Sequence, residues 1–143
     1  MNTGKIILKC IAVIMCVALC VMLLCGCNMS GTSLPAGMDP DKTLSRAQEI
    51  AMSISKGEFD SAEDSFSEEM KAQLSTEDLN DALEKMEKKG AITKYLSWSM
   101  RGASDDEAGE YAVVVLVCKC ENGSATFTIC LNKDSKICGL SMN

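Results

Sequence analysis

Thiols are the residues best placed to do chemistry in this chain. There are nine cysteines and no histidine. Without histidine the chain lacks the commonest general base and the commonest metal ligand. Cys27 has the most distinctive setting. It follows Leu24-Cys25-Gly26 at the end of an unbroken apolar run. A small residue before it lets an enzyme approach the backbone, and its thiolate is a nucleophile open to covalent modification. Cys25 is a poorer acceptor, because Met22, Leu23 and Leu24 precede it with no small residue next to it. Cys10, Cys16 and Cys20 sit inside the apolar run. Cys118, Cys120, Cys130 and Cys138 stand together in the last quarter.

The segment that must present Cys27 is the leader. Met1 to Lys9 carries Lys5, Lys9 and no acid, and Cys10 to Leu24 is apolar. That is a basic n-region followed by an apolar h-region of signal-peptide length. A spanning helix needs about 20 apolar residues. The run reaches this only by counting Ile6 to Leu8 across Lys9, so an uncleaved anchor is one alternative and plain secretion another. The end of the run resembles the lipobox of bacterial lipoproteins, with Leu24 three positions before the acceptor and Gly26 immediately before it. Cys25 between them is less usual but small. The resemblance implies a signal peptide over 1–26, lipidation of Cys27, and a chain anchored by acyl chains on the extracytoplasmic side of the cell membrane. Each buried methylene adds about 0.8 kcal/mol to such anchoring. Residues 27–38 then read as a flexible tether, uncharged and rich in small residues. Residues 39–143 read as one domain.

Loss of residues 1–26 leaves 117 of 143 residues, enough for one ordinary domain. It removes two lysines and no acid, taking the net charge from −6 to −8. A chain this acidic repels nucleic-acid phosphates, so no nucleic-acid partner is expected. No cofactor motif stands out.

Three helices are expected before residue 90. Asp39-Pro40 is an N-cap and first-turn proline, and Leu44, Ala47, Ile50, Ala51 and Ile54 make one stripe ended by Lys56-Gly57. Asp60 with Glu63 reads as a capping box for a second helix, burying Phe59, Ala62, Phe66 and Met70. Its acids Glu63, Asp64, Glu68 and Glu69 read as a solvated face rather than a metal site. Ser75 with Asp78 caps a third helix, with Leu74 and Leu79 as a hydrophobic staple. Leu79, Ala82, Leu83 and Met86 face inward, and Gly90 ends it.

From Ala91 the period becomes two. Ile92, Lys94, Leu96, Trp98 and Met100 alternate with Thr93, Tyr95, Ser97, Ser99 and Arg101. Residues 102–110 read as an acidic turn; Asp105, Asp106, Glu107 and Glu110 lack the regular oxygen spacing of a calcium loop. Residues 111–120 are the strongest strand, and Asn122-Gly123 signals a hairpin. That turn would pair Cys120 with Ala125, Cys118 with Phe127, Leu116 with Ile129 and Val114 with Leu131, facing the helices. Val113, Val115 and Val117 would face outward, Val117 against Thr128 and Val115 against Cys130. A one-residue slip would turn the valines inward instead. Lys133-Asp134-Ser135 leads into a last strand from Lys136 to Leu140.

Cys118 and Cys120 point the same way on one strand, about 7 Å apart between Cα atoms, too far for an easy bridge. They read as small buried apolar residues. Cys130 and Cys138 are the candidate disulfide. A four-thiolate metal site does not fit, since Cys-x-Cys on a strand does not present two ligands as a Cys-x-x-Cys turn does. Tyr95, Trp98, Tyr111 and Arg101 are the strand residues that could line the rim of a pocket.

Gly57, Phe59, Asp60 and Phe66, then Gly90-Ala91, the valine strand, and Lys136-Ile137 with Gly139-Leu140 form a pattern over about residues 41–142. It is similar to the domain-of-unknown-function 3887 family, within the nuclear-transport-factor-2-like, or cystatin-like cone, superfamily. The resemblance implies an α+β fold. About three helices would pack on a curved, cone-like antiparallel sheet of about four strands, with a pocket at its mouth. Relatives can precede an α/β-hydrolase region, but no Gly-x-Ser-x-Gly elbow stands in these residues.

Two functional expectations follow. One is a membrane-tethered, non-catalytic binding or interaction module, dimerising through the valine-rich face. The other is a small cone-fold enzyme of isomerase or cyclase type, or an accessory domain to a separate hydrolase. The enzyme would need a raised-pKa acid, and no acid lies within an apolar strand run.

Overall fold

A computed structural model describes residues 33–58 and 64–143. The first helix, α1, spans Pro40–Ser55. The Asp39 carboxylate accepts the Lys42 N–H at 3.0 Å, and Pro40 occupies the first turn, where no N–H is needed. Ala47, Ile50, Ala51 and Ile54 are buried along one stripe, and Leu44 packs at its edge. Gly57 follows at φ 74°, the left-handed geometry that ends the helix cheaply.

The second helix differs from expectation. Asp60 and Glu63 lie outside the described residues. Phe66 is not part of a helical stripe but forms a parallel bridge with Ile137. Ser67 N–H donates to the Ile137 carbonyl at 2.8 Å, and Ile137 N–H donates to the Ser65 carbonyl at 2.6 Å. This pairing holds residues 65–67 extended beside the sheet. Among the described residues the next helix, α2, spans Glu68–Gln73 and is capped by Ser67, whose hydroxyl accepts the Met70 N–H. Asp64, Glu68 and Glu69 are exposed, as a solvated face requires. Helix α3, Thr76–Lys89, has the expected capping box. Ser75 accepts the Asp78 N–H while Asp78 accepts the Ser75 N–H.

Four strands follow: β1 Ile92–Asp105, β2 Gly109–Cys120, β3 Gly123–Asn132 and β4 Ile137–Met142. They form one antiparallel sheet in the order β1-β2-β3-β4. The fold is α+β, with the helices preceding the sheet. The expected turn over 102–110 contracts to 106–108. The Asp105 carboxylate accepts the Glu107 and Ala108 N–H groups, which closes the hairpin there.

The β2–β3 turn falls at Glu121-Asn122, not Asn122-Gly123, so Cys120 pairs with Gly123. Cys118 then faces Ala125, Leu116 faces Phe127, Val114 faces Ile129, and outside them Val117 faces Thr126 and Val115 faces Thr128. The cause is tertiary. The Glu121 carboxylate accepts the Ala91 N–H at 3.0 Å, Glu121 N–H donates to the Ala91 carbonyl, and Asn122 N–H donates to that of Lys89. The turn is thus pinned to the end of α3. The shift is two residues, so each side chain keeps its expected face.

The inner face holds Val114, Leu116, Cys118 and Cys120, then Ala125, Phe127, Ile129, Leu131 and Ile137, all buried against α1, Phe66 and Met86. Each large side chain so buried contributes about 1.5–3 kcal/mol. The valines at 113, 115 and 117 face away from the helices, as the two-residue period requires.

Residues 33–38, expected as the end of the tether, make contacts that a free spacer would not. Met38 N–H donates to the Pro35 carbonyl, Pro35 is buried and Met38 packs on the core. The Ser33 carbonyl lies against Gly102 so closely that a Cβ there would overlap it. Among the described residues no helix is long and apolar enough to cross a membrane.

Candidate functional site

Strand β1 carries the aromatic residues expected at a pocket rim. Its pairing with β2 is irregular at two places, after Ile92 and after Tyr95. Each irregularity inserts one residue and reverses the alternation that follows. Tyr95 stands opposite Cys118 and Trp98 opposite Leu116, so both take the inner face despite their odd spacing. Arg101 stands opposite Val113, and Tyr111 opposite Ala103, both on the outer face. The four rim candidates therefore divide between two faces and form no common pocket.

The Tyr95 hydroxyl donates to the Gln48 carbonyl of α1 at 2.8 Å. Burial pushes its pKa up, and neighbouring Cys118 adds to this. Its proton is committed to a helix carbonyl, a tie between sheet and helix. Trp98 is 54% exposed and Leu96, the inserted residue beside it, 52%. They are the large apolar side chains left most open to solvent among the described residues.

Cys118 and Cys120 are core residues, 0% and 1% exposed. Burial, then the nearby Cys120, pushes the Cys118 thiol up to about 11. Burial also raises Cys120, against the pull of Lys89. Thiols held protonated in this way are poor nucleophiles. On β4 a third irregularity of the sheet separates the Leu131–Ile137 and Cys130–Gly139 pairs. Cys138 is the inserted residue, so Cys130 faces Gly139 and packs where a Cβ at 139 would stand. Cys138 is a free thiol, and the expected Cys130–Cys138 bridge is not formed. Burial pushes the Cys138 thiol up to about 11.

Among the described residues no three histidine, cysteine or acidic side chains gather as metal ligands would. Glu84 is lowered by its hydrogen bond to Lys88, an exposed pair one helical turn apart.

The residues also form an open groove of about 430 Å³ on the solvent side of α1, lined by Asp41, Lys42, Ser45, Arg46, Glu49 and Ser135. Arg46 spans it, donating to Glu49 at 2.9 Å and to Ser65 at 2.8 Å. Two cations and two carboxylates balance one another there. The spacing of Asp41, Ser45 and Glu49 is four residues, a helix-face signal that reading only the apolar stripe passes over. The lipidation candidate Cys27 lies outside the described residues.

No curated protein matches the chain. One solved structure, titled "NMR structure of protein from Ruminococcus gnavus ATCC 29149", is similar with a TM-score of 0.66 and 21% identity. The likeness covers 78% of this chain and 96% of that one, and it shows a shared fold. Residues 47–140 match the family described as Protein of unknown function (DUF3887), from the α1 stripe to β4. That span takes in the core stripe, the capped third helix and all four strands but the tip of the last, and the chain belongs to that family.

Proposed function

We propose that the chain is a lipid-anchored extracytoplasmic lipoprotein whose folded part is a non-catalytic interaction module. It is held at the bilayer through Cys27 and pairs with a second copy through the outer face of its sheet. A nuclear-transport-factor-2-like cone used for association rather than catalysis belongs to the same reading. The observation that carries it is the outer face of the sheet. Among the described residues the helices pack on the inner side, and a buried Val113 with part-exposed Val115 and Val117 runs down the middle of the other. Ser97 and Ser99 flank them on β1, Thr126 and Thr128 on β3. Such a mixed face matches the composition of interfaces between independently folded partners, which are about as apolar as ordinary surface. Anchoring in one membrane raises the effective concentration of copies, so modest contacts suffice.

Intact mass tests the anchor. Residues 27–143 plus acyl chains are expected; an unacylated mass retaining residues 1–26 overturns it. Light scattering tests the pairing. A dimer that Val115→Lys returns to monomer is expected, and a wild-type monomer at high micromolar concentration rejects it.

A further inference from the structure

Among the described residues the large apolar side chains most open to solvent lie on β1, a sheet edge. Leu96 and Trp98 are more than half exposed on this 14-residue strand. Edge strands usually hide or charge such positions. Trp98, Met100 and Gly102 share the inner face of β1, opposite Leu116, Val114 and Ala112. Gly102 is also where the Ser33 carbonyl rests, and only a residue without Cβ admits it. The chain therefore leaves the fold toward Cys27 from the surface of β1 itself. Along the strand, Gly102 is four residues from Trp98, about 13 Å. From Ser33 back to Cys27 are six residue steps, at most about 20 Å when fully extended. A lipid on Cys27 would thus keep this strand within about that distance of the bilayer surface.

Trp98 and Leu96 suit that position. An indole joins an apolar body to an N–H donor, which favours the boundary between headgroups and acyl chains. Lys94 and Arg101 bracket them along the same edge strand, from its outer face, and offer cations to lipid phosphates. One tryptophan and one leucine bind a bilayer weakly by themselves. A tether of this length makes the contact intramolecular, so weak affinity is enough.

Resting on the lipid-anchor reading, we infer that the β1 edge is a membrane-contact surface. Leu96 and Trp98 enter the headgroup boundary of the phospholipid bilayer that carries the anchor, and Lys94 and Arg101 meet its phosphates.

Trp98 is the one tryptophan in the chain, so its fluorescence reports this contact directly. The probe is the full acylated protein in phosphatidylcholine–phosphatidylglycerol vesicles, with and without brominated acyl chains. Trp98 is expected to lose about half its emission to the brominated lipid, since boundary side chains lie within about 5–10 Å of the acyl region. Acrylamide is expected to quench it poorly. Leu96→Asp, at a position already in solvent, should reverse both effects without changing acylated mass or circular dichroism. Acylated wild-type protein whose Trp98 is open to acrylamide and blind to brominated lipid overturns the inference while leaving the anchor intact. Shielding from both quenchers means that a second copy covers β1, and overturns it too. An unacylated mass removes the anchor and this inference together.

Discussion

Gly90 and Glu121 should be energetically coupled, and the coupling can be measured. Gly90 has φ 75° and ψ −175°, a region that only glycine occupies readily. A methyl group there would overlap the Glu121 carboxylate and stand 2.9 Å from its Cβ. That carboxylate is the group that accepts the Ala91 N–H and pins the β2–β3 turn to α3. Gly90→Ala therefore has two effects. Backbone strain costs about 1–3 kcal/mol. Displacing Glu121 forfeits a hydrogen bond worth about 1 kcal/mol at this exposed site. Glu121→Ala alone loses the second quantity only. In the double variant the bond is lost once, not twice, so the destabilisation should fall about 1 kcal/mol short of additive. Urea denaturation of residues 31–143, the compact unit, would measure the cycle. Gly57→Ala and Gly109→Ala serve as controls, with positive φ and open space around each. Additivity within about 0.5 kcal/mol would refute the claim that Gly90 makes room for Glu121.

Tyr95→Phe should cost about 0.5–1.5 kcal/mol by removing the bond to Gln48, a loss visible in the urea midpoint. An unchanged midpoint would show that the hydroxyl does not tie β1 to α1. Cys118 and Cys138 hold their protons more tightly folded than unfolded, with pKa values raised from 9.0 to about 11. The stability they contribute is complete below about pH 9 and declines as pH rises through about 11. Urea midpoints should drop over that window, and iodoacetamide at pH 8 should label Cys118 only after unfolding. Gly102→Val should lift Ser33 and Leu34 from β1, because a side chain has no room beneath them. Proteolysis between residues 33 and 38 should then accelerate, and an unchanged digestion rate would count against the docked segment.

Local chemistry made much of this fold legible. Asp39-Pro40, Ser75 with Asp78, and the α1 stripe depend on neighbours within four residues, and each forms as its spacing dictates. The faces of β2 and β3 also follow from a two-residue period, which survives a two-residue shift of register. What sequence hides is set by distant partners. Asn122-Gly123 is a sound hairpin signal, yet Glu121 and Asn122 have better partners at Lys89 and Ala91. Phe66 fits a helical stripe, yet its neighbours' backbone pairs with Ile137 more than seventy residues later. Tyr95 and Trp98, on opposite faces by simple alternation, share the inner one because Leu96 is inserted between them, and the same insertion parts Tyr95 from Arg101. Bulges carry no sequence mark here, since Thr93 and Leu96 are ordinary strand residues.

The bridge between Phe66 and Ile137 gives the sheet a polarity of assembly. Residues 65–67 occupy the outer edge of β4 where it begins, and β4 has only six residues in all. The opposite edge, β1, has fourteen. A stack that grows strand by strand into a fibre needs two usable edges on every copy. This protein offers one long edge and one stub. Two copies meeting edge to edge through β1 would exhaust the usable pairing and stop at a closed pair. Wherever copies meet often, such a shape makes the worst edge-to-edge error end at two.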